Sequence, residues 1–243
     1  MLDRVLLAGA TGAIGKRLVP LLIDAGYEVF GTTRSPANCA ELEAAAVTPI
    51  VVDVFDARAV AHVLAAIRPQ VLINQLTDLR GLDPSNPAEA LARNARIRIE
   101  GTANLVAAAI DAGVQRMIAQ SIAWAYAPST QPATEDDVLD VSAEGTRATT
   151  VRGVVALERL TMHSARIAGT VLRYGRLYGP GTARARPGEP PVLHVDAAAY
   201  AALLALQKGA SGIFNIVEDG ERAANAKARG ELGWDPGFRL GRC

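Results

Sequence analysis

A doubly wound α/β fold, with helices on both faces of a parallel sheet, is what the sequence predicts, and three observations predict it. Short apolar runs alternate with longer helix-like stretches from the first residues onward, the pattern of βαβ units. The turn after the first run carries glycines at positions 9, 12 and 15, the place where such folds bind a phosphate. Half of the 243 residues are apolar and 21% are charged, enough to bury the core of one large domain spanning 1–243.

The elements follow in order. Residues 5–8 read as a buried strand, and 12–25 as a helix with Leu18, Leu21 and Leu22 on one face and Gly26 as its stop. Residues 29–32 are the second strand, 35–46 a helix and 50–54 the third strand. A helix over 57–67 closes at Arg68-Pro69, and 71–76 is the fourth strand. Residues 78–87 are rich in Asp, Asn, Gly and Pro and read as a loop. A long Ala-rich helix then runs to residue 112, where Gly113 ends it. Strand five covers 114–121. Residues 127–142 contain Pro128, Pro132 and three consecutive acids, a loop of a length that is usually functional. Another long helix over 145–168 leads to a strand at 170–174, a Gly/Pro/Arg-rich segment at 175–191, a helix at 196–208 and a final strand at 212–217.

Composition excludes several classes. Lys plus Arg and Asp plus Glu both number 25, and no block of like charge resembles a nucleic-acid arm. No apolar run approaches the roughly 20 residues of a membrane span. The apolar run that ends at Gly9 is too short for a signal peptide's core, so a cytoplasmic location is expected. Cys39 and Cys243 are too few for a disulfide framework or a thiolate metal site and are expected as reduced thiols. The acids Glu135, Asp136 and Asp137 have no His or Cys beside them, so no metal is expected. No G-x-S-x-G elbow is present.

Gly9-Ala10-Thr11-Gly12-Ala13-Ile14-Gly15 joins the first strand to the first helix. Small residues let the backbone approach a pyrophosphate, and the helix N-terminus offers free N–H groups and a positive dipole end. Gly9, Thr11, Gly12, Ala13 and Ile14 are therefore expected to hold the cofactor. A dinucleotide without a 2′-phosphate is usually held by an acid at the end of strand two, whereas an Arg there suits the phosphorylated form. The strand ends Gly31-Thr32-Thr33-Arg34-Ser35, without a carboxylate. Arg34 offers a forked cationic donor, which points to NADP, with NAD as the alternative.

Further segments agree in sequence order: Val52-Asp53-Val54, Ile73-Asn74-Gln75-Leu76-Thr77, Gly101-Thr102-Ala103-Asn104-Leu105, Arg173-Tyr174-Gly175-Arg176-Leu177-Tyr178-Gly179-Pro180-Gly181, His194-Val195-Asp196 and Leu232-Gly233-Trp234-Asp235-Pro236. Together with the glycine turn they resemble the extended and atypical short-chain dehydrogenase/reductases, the NAD-dependent epimerase/dehydratase family. The resemblance implies a Rossmann-like domain with a small C-terminal substrate cap, here from about 182–191 and 218–243. It implies that Asp53 and Val54 contact the adenine, that Gln75, Leu76 and Thr77 line the cofactor, and that Tyr174 stands next to the nicotinamide end.

The family's chemistry rests on a Tyr-x-x-x-Lys pair one helical turn apart, with a Ser or Thr from the end of strand five. This chain has only Lys16, Lys208 and Lys227, preceded four residues earlier by Gly12, Leu204 and Ala223, so the pair occurs nowhere. With Ala156-Leu157-Glu158 as anchor, its positions fall at about Thr150 and Val154. Ser121 matches the family's strand-five hydroxyl and is expected to hydrogen-bond the substrate. Tyr126 and Tyr178 are the candidate catalytic phenols, although a phenol without a neighbouring cation is a weak base at neutral pH. His194 is expected to position a strand-to-helix turn. Arg184 and Arg186 flank the cap, where an anionic group or solvent would meet them.

Two functional classes fit these observations. One is an NAD(P)-dependent oxidoreductase or epimerase/dehydratase-like enzyme acting on a small carbonyl, hydroxyl or sugar-derived substrate. The other is a non-catalytic NADP-binding sensor or regulatory protein. Expected partners are a small-molecule substrate and, through the helices at 87–112 and 145–168, a second copy of the chain; nucleic acid and membrane are not expected.

Overall fold

The computed structural model describes residues 3–79, 85–164 and 166–241; Cys243 and part of the expected 78–87 loop lie outside them. Seven parallel strands form one sheet in the order β3-β2-β1-β4-β5-β6-β9: β1 (Arg4–Ala8), β2 (Glu28–Thr33), β3 (Thr48–Val51), β4 (Val71–Asn74), β5 (Arg116–Ile122), β6 (Ala168–Tyr174) and β9 (Gly212–Ile216). A small second sheet pairs β7 (Arg176–Tyr178) with β8 (Val192–His194). The side-chain period of two sends alternate residues to opposite faces. Val5 and Leu7 join one apolar cluster, Leu6 and Ala8 the other. Helices α1 (Ala13–Asp24) and α7 (Val195–Lys208) cover the first face. Helices α3 (Ala57–Ile67) and α5 (Thr102–Ala112) cover the second, with α4 (Ala88–Arg96) and α6 (Gly145–Met162) packed together beside them. A short α2 (Cys39–Ala44) links β2 to β3.

The chain winds outward from β1 through β2 to β3, then returns to the other side of β1 at β4. That reversal opens a crevice at the carboxyl ends of β1 and β4, where doubly wound sheets bind their ligands.

Several boundaries differ from the expectation for local reasons. Strand β3 ends at Val51 because Asp53 closes a turn, its side chain accepting from the Phe55 N–H at 3.0 Å. Helix α2 is shorter than 35–46 because Pro36 opens a separate tight turn and Ala46 takes φ +58°. Helix α6 ends at Met162, not 168, because β6 already begins at Ala168. The strand pair β7/β8 was hidden in the Gly/Pro-rich stretch, where three-residue strands leave no periodicity. The long Ala-rich helix carries one wider turn at Ile97–Gly101, between α4 and α5. No helix among the described residues is long and apolar enough to cross a membrane.

Candidate active site

The glycine turn is fixed by close contacts that no side chain would fit. Gly9 has φ +91°, and a Cβ there would lie 2.9 Å from the Gln75 carbonyl. A Cβ on Gly15 would lie 2.2 Å from the Gly9 carbonyl oxygen. The Gln75 N–H donates to the Ala8 carbonyl at 2.8 Å, so the end of β4 holds the loop from behind. Helix α1 starts at Gly12 with no side-chain cap, which leaves its first N–H groups facing the crevice. This cradle fits a dinucleotide pyrophosphate.

Around the crevice, Thr11 is half-buried, Ala13 likewise, and Ile14 is buried beneath the turn. Arg34 stands exposed at the end of β2, 3.9 Å from the Asp78 carboxylate across the opening. The Thr33 hydroxyl is occupied within its own turn, donating to Ser35 O and accepting from Asn38 Nδ2. Asp53 is exposed beside buried Val54, and the Asn104 amide donates to Val54 O at 2.9 Å. Leu76 is half-buried and Thr77 exposed. Gln75 is buried; its Nε2 donates to the Tyr174 hydroxyl at 3.4 Å, and its Oε1 has no partner. Tyr174 is 1% exposed and meets Gln75 through its hydroxyl. Burial pushes its phenol well above the ordinary value.

At the end of β5 the geometry departs from the expectation. Ser121 is 0% exposed, and its hydroxyl donates to Glu158 Oε1 at 2.6 Å. It faces α6 and a buried charge, not a substrate space. Glu158 in turn accepts from Arg173 Nε at 2.9 Å and Nη2 at 2.7 Å, a bidentate pair. Arg173 Nη1 donates to the Tyr126 hydroxyl, which donates to Asn215 Oδ1, both at 2.7 Å. Burial lowers the Arg173 proton affinity, but the hydrogen bonds and charge of Glu158, with Tyr126, more than reverse this, and the net shift is upward. Arg98, buried on the wide helical turn, is lowered to about 10 by burial against the opposing pull of Glu158.

The candidate phenols are engaged within the protein. Tyr126 is raised by burial, which outweighs the charge and hydrogen bond of Arg173. Tyr178 donates to Glu218 Oε1 at 2.7 Å and is raised by burial and by that carboxylate. Helix α6 contains neither Tyr nor Lys; Thr150 and Val154 are both buried in it, and Val154 packs against Ile122 and Ala125. Both phenols are thus raised, not lowered, by their surroundings. His194 caps α7, its Nδ1 accepting from the Asp196 N–H at 3.2 Å. Among the described residues, no group of three or more His, Cys, Asp or Glu could hold a metal ion.

Beyond the ends of β5 and β6 lies a cavity of about 240 Å³, lined among others by Trp124, Tyr126, Arg147, Arg176, Glu189 and Arg222. Arg184 and Arg186 do not line it.

The sequence pattern of the NAD dependent epimerase/dehydratase family matches residues 5–190. The chain belongs to this family. As a member it is 42% identical over 238 residues, covering 89% of this chain and 76% of the relative, to a 3-diazoavenalumate denitrifying reductase of a Streptomyces species. It is 35% identical over 117 residues, 48% of this chain and 31% of the relative, to a 3-beta-hydroxysteroid dehydrogenase of Mycolicibacterium neoaurum. Its fold is shared with a UDP-glucose 4-epimerase of Thermotoga maritima with bound UDP-glucose, at TM-score 0.77 and 20% identity over 97% of this chain and 94% of that one. A UDP-glucose 4-epimerase of Thermus thermophilus with NAD is similar at the same TM-score of 0.77 and 20% identity, over 98% and 95%.

Sequence reasoning missed Arg147, Arg176 and the Glu158–Arg173 pair as features of this region. A signal was present for the last: a charge at Arg173 inside an otherwise apolar strand requires a buried partner.

Proposed function

We propose that this chain is a nicotinamide-dependent reductase, NADP being its preferred dinucleotide, that delivers hydride to a small electrophile whose reduction needs no proton from the protein. The observation that carries this reading is the pairing of an intact phosphate turn with an α6 that has no Tyr or Lys, beside three phenols raised by burial. A carbonyl becomes an alkoxide on hydride addition and calls for a proton donor. An arenediazonium does not, since ArN₂⁺ plus hydride gives ArH plus N₂, with the leaving group carrying off the bond.

That substrate class is supported by the activity of the 42% identical relative, a 3-diazoavenalumate denitrifying reductase. A cavity of about 240 Å³ is smaller than the roughly 300–1,000 Å³ of drug-sized sites, which favours a small molecule over a nucleotide sugar. In this reading Gly9, Thr11, Gly12, Ala13 and Ile14 hold the pyrophosphate, and Asp53 and Val54 meet the adenine. Arg34 takes the 2′-phosphate. Gln75, Leu76 and Thr77 line the inner crevice, Gln75 from a buried position behind the turn. Tyr174 positions Gln75, and Tyr126 presents its ring, not its proton, to the substrate.

The test compares NADPH oxidation with a diazophenol acid and with the matching aryl aldehyde. Turnover of the diazo compound above the protein-free rate, with little or none of the aldehyde, is expected. Equal turnover of both, or of the aldehyde alone, overturns the reading.

A further inference from the structure

The cavity beside β5 gathers three arginines, Arg147, Arg176 and Arg222, from three separate segments of the chain. Arg176, at the start of β7, lays its guanidinium over the Trp124 ring at 4.7 Å. Its Nε is buried without a hydrogen-bond partner, a costly arrangement for an N–H on a cation. The carboxylate nearest to it, Glu189, is 3.6 Å from Nη2 and 75% exposed, a long and solvent-screened ion pair.

Arg147, from the first turn of α6, enters the same space. Its Nε donates to Asp140 at 2.6 Å, and its Nη1 and Nη2 donate to the Trp124 and Tyr126 carbonyls at 3.2 and 2.9 Å. These bonds fix its orientation while leaving two of its five N–H groups unused. Burial weakens the proton affinity of Arg176, Glu189 opposes this, and the charges of Arg184 and Arg147 weaken it further. Arg222 and Glu221 also line the cavity; Asp140 pairs with Arg147 at 2.6 Å, so Arg176 is left with only its long, exposed pair to Glu189. A ligand carboxylate on the Arg176 Nη groups would replace the long, solvent-screened pair with Glu189 and relieve the repulsion between Arg147 and Arg176.

We propose that this cavity is a carboxylate-binding subsite in which Arg176, supported by Arg147, anchors the acid group of a small planar substrate beside Trp124. A carboxylate fits the forked donors of a guanidinium with two parallel bonds. The Trp124 and Tyr126 rings in the lining favour a flat, unsaturated body. Glu189 is the internal competitor for Arg176. The inference deepens the reductase reading and rests on it for the identity of the ligand as substrate; the binding itself is read without turnover.

The test titrates the full-length protein, with and without NADP, with 4-hydroxybenzoate and its neutral isostere 4-hydroxybenzamide, following tryptophan fluorescence and heat. The acid should bind at least tenfold more tightly than the amide. Arg176→Gln should weaken the acid at least tenfold and leave the amide unchanged. Glu189→Gln, at an exposed position, should tighten the acid about threefold by removing the competitor, an effect that a misfolded variant cannot mimic. Equal binding of acid and amide, no binding of either, or Glu189→Gln that fails to tighten the acid overturns the proposal. Acid binding that follows this pattern in a protein that reduces no diazo compound would sink the reductase reading and leave the subsite standing.

Discussion

Glu158 accepts three hydrogen bonds in a buried setting, one from Ser121 and two from Arg173. Removing one partner of such a pair strands the other charge, at a cost of about 3–5 kcal/mol. Glu158→Ala should therefore lose about 3–5 kcal/mol in a denaturant titration, whereas Ser121→Ala, which breaks one bond to a charged acceptor, should lose about 1.5–3 kcal/mol. Cofactor affinity of Ser121→Ala should match the parent; a tenfold loss of affinity would place Ser121 in the crevice after all. The tyrosines give a pH prediction. Tyr126, Tyr174 and Tyr178 are all raised above 10.0 in the folded state, so the unfolded chain releases their protons first as pH rises. Their contribution to stability is complete below pH 10 and is lost as pH climbs through the folded values. The melting temperature should show no phenol-linked step between pH 7 and 9 and should fall above pH 10, less steeply in Tyr174→Phe. A step near pH 8 would reveal an activated phenol.

At the scale of elements, the β1–α1 turn and the end of β4 form one unit, because Gly9 packs directly on Gln75. Gly15→Ala would push a methyl to within 2.2 Å of the Gly9 carbonyl oxygen and reshape the turn. NADPH affinity should drop more than tenfold by calorimetry, while far-UV circular dichroism stays that of a folded α/β protein; unchanged affinity would move the cofactor away from this turn. The motifs quoted from the sequence owe their spacing to contacts between elements. Gly101 lies against Val54, Thr102 accepts from Asn74 Nδ2 at 3.3 Å, and Asn104 bonds Val54 O, so one short segment ties the start of α5 to the turn after β3 and to β4. His194-Val195-Asp196 caps α7 while Asp196 binds Arg17 of α1 at 2.5 Å. The Trp234 indole N–H donates to Ala197 O at 2.9 Å, fastening the C-terminal segment to α7. These elements were legible because glycine punctuation and apolar period are local properties. The small β7/β8 pair and the early end of α6 were not, because they are decided by partners distant in sequence. Arg147, Arg176 and Trp124 come together only when the turn after β5, the start of α6 and the segment after β6 close around one cavity, a juxtaposition no local pattern encodes.

For the molecule as a whole, the two halves of the sheet divide the work. The β1–β2–β3 side carries the phosphate turn and Arg34, which stands exposed near Asp78. Arg34→Ala should weaken NADPH about tenfold and leave NADH nearly unchanged, since only the 2′-phosphate loses its forked partner; parallel losses for both would show that the residue does not read that phosphate. The β5–β6 side carries the arginine-lined cavity and the buried Glu158–Arg173 pair, which reaches the cavity lining through the Tyr126 hydroxyl. In the proposed reading Tyr126, Tyr174 and Tyr178, all raised by burial, supply no proton, and the substrate carries off its own leaving group. The most direct test is to incubate the protein with NADPH and a ¹⁵N-labelled diazophenol acid and to count both products. One labelled N₂ released for each NADPH oxidised, faster than without protein, is the predicted result. NADPH consumed while the diazo group stays intact, or no consumption above the protein-free rate, would contradict it.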